Sequence, residues 1–108
     1  MPPLQPNELE ALKKLREALT RDFRLIELRL FGSKARGDSG PESDVDVLII
    51  LSEYDWRIRH KVHRLCFEIG LEHDVVLCPI LYSQHEFASD VTRTTPFYQN
   101  VQREGIRL

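Results

Sequence analysis

Residues 45–51 read VDVLIIL, and the five from Val47 to Leu51 are apolar without a break. A strand points successive side chains to opposite faces, so a run apolar at every position leaves no face for water. This stretch predicts a central strand covered on both sides, and with it a layered domain of helices packed on a sheet. It is far too short to cross a bilayer. A chain of 108 residues suits one domain, taken as residues 1–108. Hydrophobic residues at 42% and charged residues at 30% fit a globular chain rather than a disordered one. The opening MPPLQPNELE has no basic segment followed by an apolar core, so no secretory signal is expected and the protein reads as cytoplasmic. A formal net charge of -2 argues against direct nucleic-acid binding. Cys66 and Cys78 lie in apolar surroundings and read as reduced, buried thiols.

Patterns of the other expected elements alternate around that strand. Residues 1–6 hold three prolines and predict a frayed start. Asn7, with Glu10 three residues on, predicts the cap of a helix whose stripe of Leu9, Leu12, Leu15 and Leu19 runs to about Asp22. In LIELRLF, residues 25–31, Ile26, Leu28 and Leu30 alternate with Glu27 and Arg29, which predicts a strand with one solvated face. Ser52 is expected to cap the next helix, with Ile58, Val62, Leu65, Cys66 and Ile69 buried and Gly70 at its end. HDVVLCPIL predicts a third strand that Asp74 begins, with Pro79 marking an edge or a bulge. Ser83 and Glu86 form a capping-box pattern, and Thr95, Pro96 and Gly105 bound a last helix. The expected order is α-β-loop-β-α-β-α-α, an α/β (α+β) domain on a small mixed sheet flanked by helices.

The central strand opens with two negative charges. Asp44 and Asp46 point to one side, roughly 6.5 to 7 Å apart along the strand. Aspartate is a poor strand former, and two like charges on one face raise at least one pKa. A hard divalent cation resolves both difficulties, since Mg²⁺ uses one or two carboxylates together with substrate phosphates. If the strand that Asp74 begins lies near, three carboxylates converge, enough to hold two metal ions for an in-line phosphoryl displacement. Gly32 and Ser33 follow the first strand. A glycine lets the backbone approach a phosphate, and amides with a hydroxyl can hold its oxygens. Lys34 and Arg36 add positive charge beside them. A Gly-Ser pair alone is usually a turn, and Asp-x-Asp alone is often a solvated strand end. The specific signal is the combination of strand, Gly-Ser, ten residues, Asp-x-Asp and apolar strand.

The segment GSKARGDSGPESDVDVLII resembles the defining motif of the polymerase-β-type nucleotidyltransferase superfamily, and residues 10–108 resemble its minimal members down to TPFYQNVQREGIRL. The resemblance implies that fold, with Mg²⁺-dependent transfer of AMP from ATP. It implies that Gly32 and Ser33 hold the outer phosphates, that Asp44 and Asp46 bind two Mg²⁺ ions, and that Asp74 completes the catalytic metal site and helps deprotonate the acceptor. Minimal members are paired with HEPN-type helical toxins, so the resemblance further implies an antitoxin that adenylylates a toxin tyrosine, as a homo-oligomer or a hetero-oligomer with the toxin. The alternatives are an antitoxin that only sequesters its toxin, and a small-molecule nucleotidyltransferase of the antibiotic-modifying kind.

Other features carry plainer readings. His60, His63 and Cys66 have helical spacing but no fourth ligand at sensible distance, so they read as helix residues and not as a zinc site. His73 reads as a residue at a strand mouth, with a nucleotide contact as the alternative. Arg57, Lys61 and Arg64 form a basic stripe that suits a solvated helix face, with an acidic partner or RNA as the alternatives. The sequence RGDS, residues 36–39, reads as coincidence. Trp56, Phe97 and Tyr98 are either core or interface residues.

Overall fold

The computed structural model describes residues 4–38, 40 and 44–108. The elements run α1 (Pro6–Asp22), β1 (Leu25–Phe31), α2 (Ser33–Arg36), β2 (Val45–Leu51), α3 (Trp56–His73), β3 (Leu77–Ser83), α4 (Gln84–Ala88), α5 (Asp90–Arg93), α6 (Pro96–Glu104) and β4 (Ile106–Arg107). The strand order is β3-β2-β1-β4. The run VDVLIIL is the interior strand β2, parallel to β3 and antiparallel to β1, and only Asp46 in it is not buried.

Two apolar layers cover the sheet. Val45, Val47, Ile49 and Leu51, with Leu28 and Leu30, pack under Leu12, Leu15 and Leu19 of α1 and Val62, Cys66 and Ile69 of α3. The opposite face carries Leu48 and Ile50, and packs with Phe31 and Tyr82 against Phe87 of α4 and Phe97, Tyr98 and Val101 of α6. The face of β1 expected to be solvated is therefore covered. Phe31 meets Phe97 edge to face at 5.3 Å, and Arg29 bonds Glu27 while lying 5.9 Å over the ring of Phe87. Alternation in one strand cannot reveal a second helical layer supplied seventy residues later.

Several boundaries move. Pro6 is the first residue of α1, and the Glu8 carboxylate accepts the Gln5 N–H at 2.7 Å. Residues 1–3 of the expected frayed start, and Ser39 of RGDS, lie outside the described residues. Asn7 caps nothing; its amide donates to the carbonyls of His73 (3.0 Å) and Asp74 (3.4 Å), tying α1 to the end of α3. Asp55, not Ser52, caps α3 by accepting the Ile58 N–H at 3.0 Å. That helix runs past Gly70 to His73. Gly70 is small because the carbonyl oxygen of Val75 folds back onto it. The stop is Asp74, left-handed at φ 58°. β3 thus begins at Leu77, later than the sequence pattern predicts.

Pro79 does lie on an edge strand. Ser83 and Glu86 form the expected reciprocal cap, and Thr95 caps α6 through the Tyr98 N–H. The short strand β4, paired with β1 through Leu30 and Ile106, has no sequence signal of its own. No helix among the described residues is long and apolar enough to cross a membrane.

Candidate active site

The site forms where β1 ends and β2 begins. Phe31 and Asp46 are partners in the antiparallel ladder, so the bend after Phe31 falls beside the Asp46 side chain. Gly32 makes that bend at φ 75°, a region that glycine enters freely. A Cβ at Gly32 would also collide with Oδ2 of Asp46, so the backbone bend and the carboxylate are in direct contact. The Gly32 carbonyl accepts the N–H groups of Ala35 and Arg36, both at 3.1 Å, which starts α2 at Ser33. Ahead of those two amides, the Ser33 and Lys34 N–H groups have no preceding turn of the helix to bond to.

Asp46 is half-buried and Asp44 is exposed. Burial, and then the charge of Asp44, hold the Asp46 carboxyl above its ordinary value of 3.8, while Arg36 pulls it down. Arg36 itself is shared between Asp38 Oδ2 at 3.1 Å and Glu104 Oε2 at 3.4 Å. It lends positive charge at the rim and ties the α2 segment to α6.

Two of the expected site residues are elsewhere. Lys34 is 4% exposed and turns away from the carboxylates, with Nζ 2.6 Å from Glu8 Oε2 and 3.1 Å from the Gly40 carbonyl. It anchors the loop to α1. Asp74 does not join Asp44 and Asp46, because α3 extends to His73 and the left-handed turn displaces the start of the strand. In the parallel ladder Asp46 is opposite Cys78, and the Val45 N–H donates to the Val76 carbonyl at 2.8 Å. Asp74 is exposed and lies beyond that ladder. The charges acting on Asp46 are those of Asp44 and Arg36. Among the described residues, no three His, Cys, Asp or Glu side chains are grouped to hold a metal ion.

Cys78 is the neighbour that the sequence pattern missed. Its Sγ lies 3.5 Å from Asp44 Oδ2, and burial and then the two carboxylates push the thiol up to about 11. The signal was available in the alternation of β3, once its parallel register with β2 was known. Cys66 is buried as expected and is pushed up to about 12 by burial, whereas Cys78 is only half-buried.

His60 and His63 are exposed while Cys66 is buried, so they share no site. His73 sits with Nδ1 3.0 Å from the Ile69 carbonyl, in the last turn of its own helix. Phe97 and Tyr98 belong to the aromatic layer, and the Tyr98 hydroxyl accepts from Gln102 Nε2 at 2.8 Å. Asp44 and Asp46 supply hard oxygen donors whose mutual repulsion a cation relieves. That donor set fits Mg²⁺, which completes its shell with water and phosphate oxygen.

A nucleotidyltransferase domain model matches residues 12–98. Two candidate protein adenylyltransferases of Methanocaldococcus jannaschii, MJ0604 and MJ0141, are 35% and 32% identical to the chain. The alignments cover 92% and 93% of this chain, and 95% and 97% of those proteins. Among solved structures, a mutant of the toxin-antitoxin pair MntA-HpeT superposes with a TM-score of 0.60 at 26% identity, covering 96% of this chain and 72% of that one. The matched span takes in the bend and both aspartates, and the chain belongs to the nucleotidyltransferase family.

Proposed function

We propose that this nucleotidyltransferase transfers AMP from ATP to a hydroxyl of a protein acceptor, a tyrosine of a HEPN-type toxin, and acts in the cytoplasm as the antitoxin of that pair. The observation that carries the reading is the contact between the Gly32 bend and the Asp46 carboxylate, which sets the backbone at the start of α2 against metal-binding oxygens. The names of the two archaeal relatives and of the toxin-antitoxin neighbour support the protein acceptor.

Gly32 and Ser33 hold the β- and γ-phosphates with backbone amides and the Ser33 hydroxyl. Mg²⁺ held by Asp44 and Asp46 supplies charge neutralisation for the triphosphate. Arg36, bridged to Asp38 and Glu104, adds a cation at the rim. The acceptor oxygen attacks the α-phosphorus as the bond to the bridging oxygen of the β-phosphate breaks. Pyrophosphate leaves in line, and the hydroxyl proton passes to solvent. Two carboxylates suffice for this arrangement, and Asp74 has no part in it.

The test is to incubate the chain, Mg²⁺ and the HEPN-type partner with ATP labelled in the α- or the γ-phosphate. Only α-label is expected on the partner, and Asp46→Asn is expected to reduce it at least 100-fold, the scale of losing a principal charge-stabilising group. Equal labelling by wild type and Asp46→Asn removes the enzymatic reading. A complex that forms without any labelling identifies an antitoxin that works by sequestration.

A further inference from the structure

The outward face of α3 has no function in the site described above. Trp56, His60, His63, Phe67 and Leu71 recur at spacings of four, three, four and four. At 3.6 residues per turn they fall within an arc of about 80°. The face is turned from the core, since the buried residues of α3 are Val62, Cys66, Ile69 and Gly70. Trp56, Phe67 and Leu71 are 72%, 65% and 69% exposed, three large apolar side chains left in water on one helix. Such a grouping marks an interaction surface, and Trp is prominent among side chains that dominate interface energies.

The charges beside the stripe say what covers it. From Trp56 to Phe67 the helix carries Arg57, Arg59, Lys61 and Arg64 and no acidic residue. Arg57 reaches Asp55 only at 3.9 Å, and Arg64 pairs with Glu68 at 3.0 Å on the surface. Lys61 has no acidic partner among the described residues. A second copy of the chain docked here would oppose cation to cation, and an apolar stripe ending in Leu71 beside Glu68 and Glu72 does not suit a phosphate backbone.

We propose that the outer face of α3 docks an acidic amphipathic helix of the acceptor protein. The proposal rests on the protein-acceptor reading and specifies where that protein is held. The stripe is about 22 Å long at 1.5 Å per residue. Its Leu71 end leads through Asp74 to Val76, which is 59% exposed and whose carbonyl bonds the residue after Asp44. The Leu71 end of the stripe and the start of β2 therefore lie at the same end of the sheet, with Asp46 on the opposite face.

The experiment measures affinity and transfer separately, using the full chain and its HEPN-type partner. The triple variant Trp56→Ala, Phe67→Ala, Leu71→Ala and the variant Arg57→Glu, Lys61→Glu, Arg64→Glu both change exposed positions, and thermal melting verifies that each folds. Each is expected to raise the partner's Kd at least tenfold and the KM for acceptor protein, with kcat unchanged. Asp46→Asn keeps the wild-type Kd. Wild-type affinity in both α3 variants overturns the proposal. So does a wild type that does not bind the partner, or a loss confined to binding of a 20-nucleotide single-stranded RNA. Tight, α3-dependent binding with no AMP transfer by wild type upholds the docking face and instead sinks the transfer reading.

Discussion

The two sides of the sheet treat charge in opposite ways. Under α1 and α3 the face is sealed, and the charged groups buried beside it, Lys34 and Glu8, are matched to each other at 2.6 Å. On the other side α4–α6 cover Leu48 and Ile50 but stop short of the start of β2, where Asp44 and Asp46 stand with like charge and a shared, exposed Arg36. Burial forces pairing, because an unpaired charge in the interior is costly. An unpaired cluster can persist only at an open end, where water stabilises the charges until a ligand takes over. The contrast separates Lys34, held in the fold by Glu8, from the residues to which we assign chemistry, even though Lys34 and Ser33 are adjacent.

Breaking the sealed side gives the largest expected effect. Lys34→Met leaves the Glu8 carboxylate buried without a cation and is expected to destabilise the protein by about 3–5 kcal/mol in urea unfolding. Adding Glu8→Gln should recover much of that loss. If Lys34→Met instead kept the wild-type midpoint and lost ATP affinity, Lys34 would belong with the phosphates after all.

On the open side the expected losses appear in rate. Asp46→Asn should lower AMP transfer by at least 100-fold, close to 3 kcal/mol of transition-state stabilisation, without lowering stability. Asp74→Asn should change the rate less than about threefold, within 1 kcal/mol. A large loss at Asp74 would mean that the turn after α3 closes onto the site during turnover. Gly32→Ala comes next, with about 1–3 kcal/mol lost to the positive φ, and transfer lost through the collision with Asp46. Titrating ATP against the folded variant distinguishes the two effects.

The sheet's interior strand was legible because five successive apolar residues, Val47 to Leu51, admit few placements, and the Gly-Ser to Asp-x-Asp spacing was legible because the bend and the strand are close in sequence. Lys34 was not. A lysine beside a phosphate-binding bend and a lysine beneath it have the same neighbours in sequence, and only the packing of Glu8 from α1 decides between them. Asp74 failed for a related reason. Its place depended on where α3 stopped, and Gly70, an ordinary stop signal, was retained for a close approach of Val75 inside the helix. Cys78 depended on strand register, which no local pattern carries. The aromatic layer from α4–α6 was missed because its partners on β1 look like a solvated face until the end of the chain folds over them.

The smallest effect is the most direct measure of the mismatch between the two sides. Asp46 has its carboxyl raised above 3.8, first by burial and then by Asp44. The folded state therefore binds this proton more tightly than the unfolded chain. The associated stability is fully present below the unfolded value and is lost as pH rises through the folded one, so at neutral pH the ionised group is a net cost to folding. Asp46→Asn removes that cost. In metal-free buffer the variant should be more stable than wild type near pH 7, by under ~1 kcal/mol because the site is solvent-screened, and the gain should vanish near pH 3. Added Mg²⁺ with ATP should stabilise wild type only, narrowing or reversing the gap. Measuring the difference between the two proteins cancels the other carboxylates that titrate over the same range. A variant less stable than wild type at neutral pH would show that Asp46 is already satisfied within the fold, and that the open side has no vacancy of charge for a cation to fill.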